Sequence, residues 1–186
     1  MRTEVTNKLF TVDEYYKMAE IGIFDEDSRV ELIEGEIIEM SPVGNRHIGC
    51  VNRATKLFIT KLGDRVVVSP QNPVRLSNIT EPQPDIVLLK PRADFYSAKR
   101  LSAEDTFLVL EISDTTLRYD RNRKLPLYAK YGVPEVWIED IKGDAILVYR
   151  DLKAGGYSAS LTFHRDETIS LLAFPDIFFN VNDLLG

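Results

Sequence analysis

Three observations predict a mixed α/β fold, a single α+β sheet with helices packed on it. Apolar residues at 51, 54, 57, 58 and 62 recur on one helical face. The stretches Asp85–Leu89 and Thr106–Ile112 are short and continuously apolar, the pattern of strands buried on both faces. A polar helical stretch then leads into another apolar run, Glu135–Glu139, and a strand–helix–strand step of this kind makes a right-handed crossover.

In chain order, the first element is a short helix opened by a capping box, Thr11-Val-Asp-Glu14, with Phe10 and Tyr15 at staple spacing. Val30 to Met40, split by Gly35, reads as a tight hairpin. Residues 46–62 form the long helix, and Gly63 stands where a terminating glycine belongs. Val66 to Leu76 is extended, with Pro70 and Pro73 marking an irregular or edge position. After the two buried strands comes a helix over 117–131, interrupted by Pro126 and closed by Gly132 and Pro134. Residues 144–151, 157–163 and 168–172 read as outer antiparallel strands, and the tail ends in a short helix. The order over 46–141 is therefore helix, three strands, helix, strand. An N-terminal helix and hairpin precede this core, and a β-rich extension follows it.

At 186 residues and 21.2 kDa the chain suits one domain, 1–186, and no linker or repeat divides it. Cys50 is the lone cysteine, so an internal disulfide is excluded. His47 and His164 are the two histidines, which excludes a zinc finger or a multi-histidine cage. The net charge of −6 and pI of about 5.0 exclude a protein that coats nucleic acid through global charge. Any such contact must be local or assisted by metal ions. No apolar signal region or membrane-length apolar run is read, and the expected location is cytoplasmic.

Charged residues inside apolar strands carry the chemical information. Asp85 follows Pro84 at the start of a buried strand, and Glu111 lies near the end of Phe107–Ile112. Ionised carboxylates in such places are costly unless paired or metal-bound. Two of them at one end of neighbouring strands make a divalent-cation site. The alternatives are a turn cap for Asp85 and an arginine partner for Glu111. Lys124 shares a helical face with Asp120, as a surface ion pair or as part of a site. Arg118, Arg121 and Arg123 belong to the densest basic stretch, which is either a solvated helix face or a phosphate-binding patch. Glu31 is either a cross-strand charge pair or a site residue. His47 opens the long helix, and Gln71 is a ligand or a sheet-edge hydrogen bonder. His164, Cys50 and Trp137 read as structural.

Glu31-Leu-Ile-Glu-Gly-Glu, Ser41-Pro, His47, Gln71-Asn-Pro, Glu81-Pro-Gln-Pro-Asp-Ile86, Leu110-Glu-Ile-Ser113, Tyr119-Asp-Arg-Asn-Arg-Lys124, Tyr128-Ala-Lys-Tyr-Gly-Val-Pro-Glu135 and Trp137-Ile occur in this order. Together they resemble the Uma2 family of restriction-endonuclease-like proteins, within the PD-(D/E)XK nuclease superfamily. The resemblance runs from about Phe10 to the end. It implies that Pro84-Asp85 is the PD element and that Glu111 is the acidic residue of the second motif. It also implies a metal-dependent endonuclease, acting on DNA first among nucleic acids, with the non-cutting nuclease-fold binder as alternative. Asp85, Glu111 and the Ile112 carbonyl would hold Mg²⁺ or Mn²⁺, and Lys124 would serve the attacking water or the developing charge. Glu31 would complete the site, with His47 and Gln71 as accessories. Two departures stand out. Ser113 occupies the place of the superfamily's lysine, which the resemblance moves to Lys124, and residues 46–62 contain no acidic residue. A second copy of the chain, in a homodimer, is a further expected partner.

Overall fold

The computed structural model describes residues 6–25 and 27–186. Helix α1 (Val12–Glu20) carries its capping box: the Glu14 amide donates to Thr11 Oγ1 at 3.2 Å, and the Thr11 amide donates to Glu14 Oε2 at 2.8 Å. Strands β1 (Val30–Ile33) and β2 (Glu36–Glu39) pair antiparallel. Their turn residues, Glu34 and Gly35, both have positive φ, 50° and 82°, the sense that matches strand twist in a two-residue hairpin. The hairpin docks on the segment before the central strands. Gly35 N donates to the Ile79 carbonyl, and Glu81 N to the Leu32 carbonyl, each at 2.7 Å. This docking brings Glu31 against the Gln83 amide.

Helix α2 (Asn45–Leu62) buries Val51, Ala54, Phe58 and Leu62 of the face its periodicity predicts, with Leu57 partly buried and Cys50 added at the edge. The central sheet contains β3 (Val67–Pro70), β4 (Ile86–Leu89), β5 (Thr106–Ser113), β6 (Val136–Asp140), β7 (Ala145–Lys153) and β8 (Gly156–His164), in that spatial order. All neighbours are antiparallel except β5 and β6, which are joined by the helical crossover. Leu108, Leu110, Ile112 and Trp137 face the α2 side, and Val87, Val109 and Ile138 face Tyr128 on the other. Both sheet faces are therefore covered, which is why the strands read as unbroken apolar runs.

The crossover is one continuous helical path with a change of pitch. α3 (Leu117–Tyr119) passes into a π-helical turn (Asp120–Lys124) and then α4 (Leu125–Lys130). The Leu125 amide reaches back five residues to the Asp120 carbonyl. Pro126 follows with no amide to donate, so the ordinary ladder cannot form at that point. The sequence places an interruption at Pro126, and its physical form is this widened turn.

Two stretches depart from expectation. The extended segment from Val66 contributes only Val67–Pro70 to the ladder, because Gln71 turns away with φ of 52° and Pro73 cannot donate. The strand around 168–172 does not extend the main sheet. β9 (Thr168–Leu171) pairs instead with β10 (Phe174–Asn180) in a separate two-stranded sheet, and α5 (Val181–Leu185) follows. Pro175 obscures β10 in the sequence, but Phe179 draws it into the core against Phe58 and Trp137, with ring centroids 5.3 and 6.0 Å away. Among the described residues no helix is long and apolar enough to cross a membrane.

Candidate active site

The β5 strand ends where β4 begins, because the two run antiparallel and Ile86 faces Leu110 across the ladder. Asp85, one residue before β4, therefore lies beside Glu111 and Ile112. The Ile112 amide donates to Asp85 Oδ2 at 2.8 Å. Val109 and Ser113 use their backbone groups toward the β6 side, bonding the Glu135 carbonyl and the Ile141 amide. Alternation along a strand then turns the Ile112 amide and carbonyl toward Asp85. On its other oxygen Asp85 meets His47, whose Nε2 is 3.1 Å from Oδ1. Burial lowers the His47 imidazole, but the hydrogen bond and charge of Asp85 outweigh it and raise it overall.

Glu111 points toward the crossover helix. Lys124 Nζ lies 3.2 Å from Glu111 Oε1 and 3.1 Å from Glu31 Oε2. The Tyr128 hydroxyl donates to the same Glu111 oxygen at 2.5 Å. The Tyr119 hydroxyl donates to Glu31 Oε1 at 3.2 Å, and the Gln83 amide to Glu31 Oε2 at 3.1 Å. Lys124 is 3% exposed, Glu111 3% and Glu31 1%, so this is a buried charge network, not a surface pair. Burial by itself would lower the Lys124 amine, but Glu111, Glu31 and Asp120 raise it above the lysine range and keep it an ammonium. Burial pushes Glu111 above the usual carboxylate range, against the pull of Lys124; Asp120 and Asp85 add like charge.

Asp120 completes the group from the π-turn. Its Oδ2 accepts from Ser113 Oγ and Thr116 Oγ1, each at 2.7 Å. Burial raises its carboxyl, opposed by Lys124 and the two hydroxyls. Ser113, at the place the superfamily gives to lysine, thus serves as a donor to Asp120. Asp120 and Lys124, at the two ends of the widened turn, are both buried against the sheet, so the site reading and not the surface pair is what the fold adopts. Turns of this type occur frequently at functional sites.

A cavity of about 400 Å³ opens over these groups and is bordered by Arg29, His47, Gln83, Asp85, Glu111 and Lys124 among others. Glu31 lies beneath it, covered by Lys124 and Tyr119. Gln71 does not border it; its backbone amide donates to the Asp85 carbonyl at 2.9 Å, and its carbonyl accepts from Gln83 Nε2. Gln83, two residues before Asp85, is the amide side chain at the site. Arg118 and Arg121 are exposed and do not border the cavity, and Arg123 is held by Glu36 at 2.8 Å and Glu34 at 3.4 Å. The arginine at the cavity is Arg29, which no motif in the sequence singles out.

Among the described residues no three histidine, cysteine or acidic side chains are grouped closely enough to form a metal cage by themselves. The donors at the cavity are oxygens: Asp85, Glu111 and the strand edge at Ile112. Such a set suits a hard cation that keeps several waters and takes further oxygens from a phosphate.

The fold is restriction-endonuclease-like, and the family comparison supports a nuclease role. The chain belongs to the Uma2 family, whose model matches residues 12–182 and is described as "Putative restriction endonuclease". It is similar in structure to a protein from Anabaena variabilis described as "a putative nuclease belonging to DUF820". The TM-score is 0.70 at 16% identity, over 95% of this chain and 97% of the other, a likeness of fold. No curated protein matches the chain.

Proposed function

We propose that this chain is a metal-dependent endonuclease that hydrolyses phosphodiester bonds, with DNA as the first substrate to test. One observation carries the reading: Lys124 is lodged between Glu31 and Glu111 at the strand end where Asp85 stands. Asp85, Glu111 and the Ile112 carbonyl would hold Mg²⁺ or Mn²⁺, which when bound supplies Lewis acidity toward water and phosphate. Lys124 donates protons of its ammonium toward the reacting oxygens and offsets negative charge as it develops. Glu31 and Tyr119 hold that amine in place from below. His47 orients Asp85, and Tyr128 fixes the Glu111 carboxyl. Arg29 and Gln83 at the cavity rim offer donors to the phosphate backbone.

The competing reading is a nuclease-fold binder that does not cut. It draws on the same contacts, because Asp85 is occupied by His47 and Ile112 N, and Glu111 by Lys124 and Tyr128. A cleavage assay separates the two. Purified chain is incubated with plasmid and with single- and double-stranded oligonucleotides in Mg²⁺ or Mn²⁺, beside EDTA and Asp85→Ala controls. Cleavage that needs both the metal and Asp85 supports the endonuclease. Binding without cleavage under every condition supports the silent binder.

A further inference from the structure

A second cavity, of about 370 Å³, lies beside edge strand β3 and is bordered by Glu81, Phe95, Tyr96, Lys99 and Arg100 among others. Its volume falls within the range of small-ligand pockets, about 300–1,000 Å³. Glu81 is 3% exposed, and its Oε2 has no hydrogen-bond partner among the described residues. A buried carboxylate oxygen without a donor carries a desolvation cost that a ligand donor would remove. Arg100 Nη1 stands 3.7 Å from the other oxygen and stacks its guanidinium 4.0 Å over the Tyr16 ring.

The rim is equally unusual. Phe95 and Tyr96 adopt positive φ in succession, 48° and 63°, a conformation bulky residues avoid. The Tyr96 hydroxyl is anchored on the Lys90 carbonyl at 2.8 Å, while Phe95 is left 75% exposed. A strained turn thus holds an aromatic face in solvent beside Arg100 and Lys99, the latter paired with Asp105 at 2.7 Å. Aromatic faces flanked by cations are the elements of single-strand recognition.

The two cavities are joined by one short segment. In Glu81-Pro-Gln-Pro-Asp85 the first residue borders the second cavity, and Gln83 and Asp85 border the catalytic one. Four residues of chain span at most about 14 Å. That distance corresponds to no more than about four nucleotides of a stacked strand advancing 3.4 Å each.

We infer that the Glu81–Phe95 cavity receives one unstacked nucleobase of the strand lying in the catalytic cavity, and favours bases with an exocyclic amine. Its partner rests on the nuclease reading above. Phe95 supplies the stacking face, and Glu81 accepts from the amine of cytosine or adenine. Thymine offers only a ring N–H set between two carbonyl oxygens, which the carboxylate repels.

The test is fluorescence anisotropy with labelled dodecamers of dC, dA and dT at fixed salt, using full-length Asp85→Ala so that nothing is cut. The dC and dA strands should bind about tenfold tighter than dT, and Phe95→Ala should weaken all three about tenfold. Glu81→Gln should erase most of the preference. Phe95 is exposed, so its replacement leaves the core alone, and circular dichroism checks Glu81→Gln. Equal affinity for the three strands, variants that bind like the parent, or no binding at all would overturn the inference. The nuclease reading is judged separately, by metal-dependent cleavage with Asp85 intact.

Discussion

Lys124 and Glu31 meet at 3.1 Å although one lies on the crossover helix and the other on the N-terminal hairpin. Their contact joins the two parts of the chain that cover the end of β5, and Glu111 lies against the same amine. A buried cation held by two carboxylates is costly to break on one side only, because the partners stay behind as unpaired charges.

Lys124→Met should therefore abolish cleavage and also destabilise the fold by about 3–5 kcal/mol, the usual result of removing one partner of a buried pair. Adding Glu31→Gln should recover part of the stability and none of the activity. Urea denaturation of the single and double variants measures both. A Lys124→Met chain as stable as the parent would mean the amine contributes nothing to the network.

Asp85→Ala and Glu111→Ala should each cost most of the cleavage, and the double variant should be little worse than either. Residues that act as a unit behave in this non-additive way. Single-turnover rates with Mg²⁺ decide it. Multiplying losses would separate the two carboxylates into independent roles.

Glu139, on β6, is 0% exposed, and neither of its carboxylate oxygens has a hydrogen-bond partner among the described residues. Burial raises its pKa from 4.5 to about 7. The folded chain therefore holds this proton more tightly than the unfolded chain does. The associated stability is complete below about pH 4.5 and is lost as pH rises through about 7. Glu139→Gln should equal the parent near pH 4.5 and exceed it at pH 8, by as much as about 3 kcal/mol. Denaturant midpoints at the two pH values check this, and parallel pH dependences of variant and parent would contradict it.

Pro126→Ala restores an amide one residue past the π-turn. The helix should then relax toward regular pitch and turn Lys124 away from Glu111. Cleavage should fall at least tenfold while stability stays within about 1 kcal/mol, since the substitution also removes a proline from a helix. Retained activity would show that the turn keeps its shape without proline.

The fold was legible wherever burial leaves a period. The apolar face of α2 and the unbroken runs of β4, β5 and β6 follow directly from elements covered on both sides of a sheet. Strand β10 was not, because Pro175 and Asp176 read as loop while the residue that commits it to the core, Phe179, comes at its end. Asp85 and Glu111 stand out as carboxylates in apolar runs. Lys124 was legible only through family resemblance, since its burial depends on the π-turn and on a hairpin far away in sequence. Asp120 was legible only as the residue sharing a helical face with Lys124, where spacing leaves a surface pair and a site residue equally open, and Arg29 left no signal because it stands outside every motif.

The docked hairpin has a consequence for how the chain becomes competent. Glu31, Asp85, Glu111 and Lys124 come from four separate stretches, and the hairpin joins the others by pairing with residues 79–81 and through the contacts of Glu31, Glu34 and Glu36. The complete set of four groups thus exists only with the hairpin docked. On the proposed endonuclease reading, cleavage would therefore require the docked hairpin, and a chain that has not yet closed it would lack the carboxylate that holds the lysine in place.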